Sequence, residues 1–128
     1  MERTTIDQML FASRTRIDRL GPEEVLDAQR LGALVLDTRD IDDRRKEGFI
    51  PGSIHVPLSV LPWRVDPSSP STDARINDIH RHFVVVCNDG FSSSITAALL
   101  VDLGFTDVSD LCGGHRAWAI AGLPIEFC

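Results

Sequence analysis

One cysteine of the chain stands where its side chain could act as a nucleophile. Cys87 follows a run of three valines, and the chain then passes through Gly90 and three serines into a segment rich in alanine and leucine. A thiolate is a strong nucleophile when its surroundings lower the thiol pKa. The order of strand, cysteine, glycine–serine turn and helix predicts such a reactive thiol in preference to one more small buried apolar residue.

Residues 87–93, here the Cys87 loop, have the composition of an anion-binding turn. A strand that ends at Cys87 and a helix that starts near Ser93 leave backbone N–H groups without partners around one point. Gly90 permits a positive φ, and Ser92 or Ser93 is expected to cap the helix. Asp89 is expected to oppose thiolate formation through its charge. The groups expected to stabilise the thiolate and bind the substrate are the backbone amides of Asn88, Asp89, Gly90, Phe91, Ser92 and Ser93.

Short apolar strands alternate with helical segments along the chain. Strands are predicted over residues 16–20, 33–36, 53–56, 83–86 and 108–111, and helices from 22, over 93–103, from 113 through 118, and in shorter stretches at 42–47, 58–64 and 74–80. This alternation is typical of βαβ units and predicts an α/β fold with a mostly parallel sheet, whose sites lie beyond the carboxyl ends of the strands. Residues 1–15 carry little pattern and are expected to form a tail or arm, and residues 16–128 a single domain.

Composition narrows the classes of partner. The chain has 128 residues and a formal net charge of −6, which argues against nucleic acid or an anionic membrane as the main partner. The N-terminal segment has Glu2 and Asp7 where an export signal would be basic and then apolar, and three cysteines are too few for a disulfide framework, so a cytoplasmic protein with reduced thiols is expected. The four histidines share no metal-ligand spacing, and neither a metal nor a cofactor is expected. The sequence leaves the oligomeric state open.

Three segments, in this order, resemble the signature of the rhodanese family. Residues 37–39 and 48–54 (DTR and GFIPGSI) are similar to the family's D-x-R … G-H-I-P-G-A, with Phe49 in place of the histidine. Residues 87–93 (CNDGFSS) match C-x-x-G-x-S-S. Residues 111–118 (LCGGHRAW), followed by residues 122–124 (GLP), resemble L-x-G-G-x-x-x-W … G-x-P. The resemblance covers nearly the whole chain after Ile17.

The resemblance implies a rhodanese-like five-stranded parallel sheet flanked by helices and a sulfurtransferase activity. Cys87 would take the outer sulfur of a small donor such as thiosulfate, hold it as a persulfide, and pass it to a thiol or protein acceptor. The alternative is a catalytically weak rhodanese-like module for protein recognition or redox sensing. The loop favours this alternative in one respect, because it lacks the arginine or lysine with which many family members bind an anionic donor. Phosphoryl chemistry is disfavoured, since Ser93 stands where related phosphatases have arginine.

Five further residues are candidates for a role at the site, each with a structural alternative. Arg64 and Arg44 are candidates to bind the donor at the mouth of the site, with solvated surface charges as the alternative. Asp37 and Arg39 are expected to brace the loops rather than to do chemistry. Cys112 could be a resolving thiol, but a buried packing role is favoured.

Overall fold

Five parallel strands form one sheet in the order β1-β5-β4-β2-β3. The computed structural model describes residues 2–128. The strands are β1 (Asp18–Leu20), β2 (Leu34–Asp37), β3 (Ile54–His55), β4 (Phe83–Val86) and β5 (Val108–Leu111). The helices are α1 (Ile6–Arg14), α2 (Pro22–Arg30), α3 (Ile41–Glu47), α4 (Leu61–Val65), α5 (Ser92–Asp102) and α6 (Gly114–Ile120). The predicted α/β architecture is confirmed, and none of the helices within residues 2–128 is long and apolar enough to cross a membrane.

The central strand β4 is buried on both faces, as its unbroken apolar sequence requires. Phe83 and Val85 face a core cluster that includes residues of α5, while Val84 and Val86 face a second cluster around Trp118. Trp118 is fully buried, and its indole N–H donates to the carbonyl of Pro124. The two clusters hold β4 rigidly, so the residue that follows it has a fixed position.

Residues 74–80 do not form the helix that the sequence pattern predicts. They form turns, in which the carboxylates of Asp73 and Asp78 accept hydrogen bonds from the backbone amides of Arg75 and His80. Aspartate side chains that bind the backbone two residues ahead compete with helical hydrogen bonding. The predicted helix is therefore absent, because this local hydrogen bonding takes the place of helical hydrogen bonds.

The N-terminal segment contains a well-capped helix. The side chain of Thr5 accepts from the Gln8 amide, and the side chain of Gln8 accepts from the Thr5 amide, so α1 begins with a complete capping box. α1 packs against α5, and an ion pair between Arg16 and Asp102 joins the following turn to the end of α5. α1 is therefore held against the helix that starts at the Cys87 loop.

Candidate active site

Cys87 is the first residue after β4, at the carboxyl edge of the sheet. Its residue surface is 7% exposed, and it lines an open cavity of about 320 Å³, here the Cys87 cavity. Leu58 and Phe91 supply apolar walls, and Thr38 lies at the end of the neighbouring strand. The thiol is thus largely sheltered while one side of it faces a space large enough for a small substrate.

Two backbone amides of the loop point at the sulfur. The N–H of Gly90 lies 3.1 Å from Cys87 Sγ and the N–H of Ser93 lies 3.4 Å from it. Gly90 has φ 85°, a conformation that other residues rarely adopt. The other loop residues named from the sequence, Asn88, Asp89, Phe91 and Ser92, line the Cys87 cavity.

The surroundings favour the thiolate. Burial taken alone raises the pKa of the Cys87 thiol, but hydrogen bonds from the Ser92 side chain and from the Ser93 and Gly90 amides outweigh burial and hold that pKa below its ordinary value. A lower pKa places more of the sulfur in its nucleophilic form near neutral pH.

Asp89 does not face the thiol as an unpaired charge. Its carboxylate is exposed and lies 2.6 Å from a guanidinium nitrogen of Arg116. Because that cation offsets the carboxylate, the opposition to thiolate formation expected from Asp89 is reduced.

A buried carboxylate fixes the start of α5. Asp110, fully buried in β5, accepts hydrogen bonds from the hydroxyls of Ser93 (2.8 Å) and Ser94 (2.7 Å) and from Arg19 Nε (2.9 Å). The serine hydroxyls are turned toward this carboxylate, and the N-cap residue of α5 is Phe91, which makes no side-chain cap. The prediction that Ser92 or Ser93 caps the helix was therefore wrong.

The first turn of α6 holds the other side of the loop. The amides of His115 and Arg116 donate to the carbonyls of Cys87 (2.9 Å) and Asn88 (3.2 Å). A Cβ at Gly114 would lie 2.5 Å from the carbonyl of Asn88, so only glycine allows the two backbones to approach this closely. This contact explains the second glycine of the Leu-Cys-Gly-Gly motif.

Two arginines that precede residue 21 donate hydrogen bonds to the backbone of the Cys87 loop. Arg14 Nη2 and Arg19 Nη2 each lie 2.9 Å from the carbonyl oxygen of Gly90. No sequence motif marks either residue as part of the site. Asp110 could have been identified from the sequence as a residue with a buried polar partner, since a carboxylate inside a short buried strand needs one.

Asp37 and Arg39 form a buried ion pair at the end of β2, where bracing residues were expected. Arg39 Nη2 lies 2.9 Å from Asp37 and 2.7 Å from the carbonyl of Gly48, which ties β2 to the end of α3. Burial alone raises the pKa of Asp37, but the guanidinium of Arg39 outweighs it and lowers that pKa.

The structure does not bring the two proposed donor-binding arginines to the Cys87 cavity. Arg44 is buried, because α3 turns it inward to pair with Asp37 at 2.7 Å and to cover the ring of Phe49. Arg64 lines a separate cavity beside His55.

Cys112 is exposed, so the favoured packing role was wrong. It follows β5 at the edge of the sheet, where its amide donates to the carbonyl of Leu20 and leaves the side chain on the surface.

Comparison with known proteins now decides the family. The family model of the Rhodanese-like domain matches residues 21–121. The chain belongs to the rhodanese-like domain family. The resemblance drawn from the three motifs is thereby confirmed, and the Cys87 loop lies inside the matched region, whereas Arg14 and Arg19 lie outside it.

The similar proteins include sulfurtransferases and one protein described differently. The chain is 34% identical over 104 residues to thiosulfate sulfurtransferase GlpE of Pseudomonas syringae pv. syringae, covering 81% of this chain and 89% of that protein. Its identity to GlpE of Pseudomonas fluorescens is 37% over 100 residues, covering 78% and 83%. A solved structure from Rhodopseudomonas palustris, of unknown function and described as a possible tyrosine phosphatase, aligns with a TM-score of 0.89 and 30% identity, covering 98% and 99% of the two chains.

Proposed function

We propose that this rhodanese-like protein is a sulfurtransferase that carries sulfur on Cys87. The observation that supports the proposal most is the pair of loop amides, of Gly90 and Ser93, at 3.1 and 3.4 Å from a sulfur that opens onto a cavity. Relatives that cover about four fifths of the chain bear the name thiosulfate sulfurtransferase.

The proposed reaction has two displacement steps on sulfur. In the first, the Cys87 thiolate attacks the outer sulfur of thiosulfate, the sulfur–sulfur bond of the donor breaks, and its electron pair leaves with sulfite. In the second, an acceptor thiolate attacks the outer sulfur of the Cys87 persulfide, and the electron pair of that bond returns to Sγ. Each step conserves charge and electrons and needs no cofactor.

The loop amides suit every stage of this cycle. The sulfur is anionic before the first step and after the second, and the persulfide between them is also an anion. Preorganised N–H groups in a sheltered site stabilise such charge without reorganisation during the reaction. Gly90 and Ser93 therefore serve as the positioned donors, and the burial of Cys87 keeps away most of the solvent that would compete with them.

Charge at the mouth of the Cys87 cavity sets the class of donor that reacts readily. Asp40 and Asp43 line it, while two further lining residues are offset by partners, Asp89 by Arg116 and Arg39 by Asp37. Thiosulfate is a dianion and approaches this surface against repulsion. We propose that thiosulfate binds weakly as a donor and that donors without net charge reach Cys87 more readily. Acceptor thiols that lie beside a positive charge should also approach the cavity more readily.

Phosphatase chemistry is a weaker reading, although the Rhodopseudomonas palustris protein is described as a possible tyrosine phosphatase. Phosphoryl transfer depends on cationic groups that neutralise charge on the phosphate oxygens. The Cys87 loop contains neither arginine nor lysine, and three carboxylates line the cavity.

A module for protein recognition or redox sensing fits the acidic mouth and the exposed Phe91, and the following experiment separates it from an enzyme.

Intact-mass measurement after exposure to a sulfur donor tests the proposal. Wild-type protein is treated with thiosulfate and, in parallel, with mercaptopyruvate at high ionic strength, and Cys87→Ser and Cys112→Ser serve as matched variants. We expect an adduct of about 32 Da, one sulfur, on wild type and on Cys112→Ser, lost on addition of a thiol and absent from Cys87→Ser. No adduct with either donor, or an adduct that persists in Cys87→Ser, would overturn the proposal and favour the recognition or redox module.

A further inference from the structure

The backbone of Gly90 is held at both of its polar groups, which belong to successive peptide groups of the Cys87 loop. Its N–H lies 3.1 Å from Cys87 Sγ, and its carbonyl oxygen lies 2.9 Å from both Arg14 Nη2 and Arg19 Nη2. The two arginines come from α1 and β1, 76 and 71 residues away in the sequence. The loop conformation therefore depends on a segment that precedes the region matched by the family model.

Fixing this carbonyl also fixes the next amide. In a trans peptide, the C=O of Gly90 and the N–H of Phe91 point in opposite directions. With the carbonyl directed to two guanidinium groups, the Phe91 N–H is directed away from them, and its orientation in the loop is fixed. Hydrogen bonds to a charged donor are strong, and a carbonyl polarised in this way makes the N–H of its own peptide group a better donor.

Arg14 also differs from its neighbours in its charge balance. Arg19 is paired with Asp110, and Arg116 with Asp89 and Glu47. Within residues 2–128, no carboxylate lies at ion-pair distance from Arg14, whose Nε donates to the hydroxyl of Ser94 at 3.1 Å. Its guanidinium carbon is 5.6 Å from the ring centre of Phe91. The positive charge that the loop sequence lacks is thus present directly behind the loop.

We propose that Arg14 and Arg19 are positioning residues that hold the Gly90 carbonyl outward, aim the loop amides at the reacting sulfur, and supply through Arg14 the cation missing from the loop. The inference deepens the proposed function and rests on it for the sulfur-transfer step. Its geometric part, the effect on the Cys87 thiolate, is independent of which reaction the thiolate performs.

Charge-matched variants of the same segment test this role. Arg14→Ala removes the hydrogen bond from Arg14 to the Gly90 carbonyl. Arg16→Ala removes an equal charge two residues away, from an exposed pair with Asp102, and does not touch the loop. Arg14→Lys keeps the charge but cannot reach both the Gly90 carbonyl and Ser94. All are made with Cys112 and Cys128 replaced by serine, so that iodoacetamide reports only Cys87.

The pH profile of alkylation and the rate of persulfide formation are then compared. We expect Arg14→Ala to move the alkylation profile to higher pH and to slow persulfide formation about tenfold, the effect of losing a hydrogen bond to a charged group. Arg16→Ala should match the wild type, and Arg14→Lys should fall between the two. If the alanine variant does not fold, the lysine variant alone decides: a profile equal to wild type overturns the proposal.

Three results would overturn the role. They are an unchanged profile in folded Arg14→Ala, an unchanged rate in that variant, and an equal change in Arg16→Ala. Because alkylation needs no sulfur donor, a shifted profile together with no persulfide in wild type would retain the positioning role and remove the proposed sulfur transfer. A persulfide that forms at the normal rate in Arg14→Ala would retain the proposed sulfur transfer and remove the positioning role.

Discussion

Replacing Asp110 by asparagine removes the charge at the centre of the network behind the Cys87 loop. The carboxylate is fully buried and accepts hydrogen bonds from Arg19 and from the hydroxyls of Ser93 and Ser94. Asparagine has nearly the same shape, but its NH₂ group cannot accept a hydrogen bond and meets donors that already point at it. Arg19 would also lose its ion-pair partner.

The expected cost follows from burial. Removing one partner of a buried ion pair costs about 3–5 kcal/mol. The Arg19 side chain is 23% exposed, so solvent relieves part of this cost, and the lower end is expected, about 3 kcal/mol. With a urea m-value of about 2 kcal/mol/M, the unfolding midpoint should fall by about 1.5 M. The loop should loosen with it, since Ser93 loses the acceptor that orients its hydroxyl, and Cys87 should be alkylated more slowly at neutral pH.

Asp102→Asn is the matched control. Asp102 also pairs with an arginine of the N-terminal segment, Arg16, but its side chain is 58% exposed. Exposed pairs contribute little because solvent and salt screen them, so its midpoint should fall far less than that of Asp110→Asn, and the thiol should be unaffected. Urea unfolding followed by circular dichroism measures both. If Asp110→Asn costs no more than Asp102→Asn, the buried carboxylate does not organise the loop as described.

Two further changes test the backbone contact and the charge of the mouth. Gly114→Ala places a Cβ 2.5 Å from the Asn88 carbonyl, at a residue with φ 66°. The substitution should lower the free energy of unfolding by at least about 2 kcal/mol, measured by urea unfolding, and reduce persulfide formation, measured by intact mass. A stable, active variant would contradict the close contact. Asp40→Asn removes an exposed carboxylate from the cavity rim and keeps a residue type suited to the start of α3, so sulfur loading from thiosulfate at low salt should rise about twofold, while loading from a neutral donor stays unchanged. Added salt should raise the wild-type rate with thiosulfate in the same way, because it screens the repulsion, and a rate that falls with salt would mean that the mouth attracts anions.

Local sequence signals were sufficient for the central part of the site. The run of valines before Cys87, the glycine at the bend and the apolar helix behind it are contiguous, and their physical meaning does not depend on the rest of the chain. A mostly parallel sheet then follows from the alternation of strands and helices. These residues could be placed before any coordinates were considered.

The parts that could not be predicted depend on contacts between distant segments. Arg14 and Arg19 reach the Gly90 carbonyl across more than 70 residues, and no local pattern encodes that meeting. Arg44, in a run of charged residues, was expected to bind the donor or to be a solvated surface charge, yet α3 turns it toward the buried Asp37. The start of α1 was readable, because Thr5 and Gln8 have the spacing of a capping box, but that pattern does not show where the helix packs.

The most direct test of the account is the pH dependence of Cys87 alkylation by iodoacetamide, measured on protein in which Cys112 and Cys128 are serine. Amides at 3.1 and 3.4 Å that outweigh burial predict a midpoint clearly below the value of about 8.5 for an unperturbed cysteine, with the rate falling only as the pH drops through that lowered pKa. A midpoint at or above the unperturbed value would show that burial dominates, and the loop would then have no means of holding an anionic sulfur.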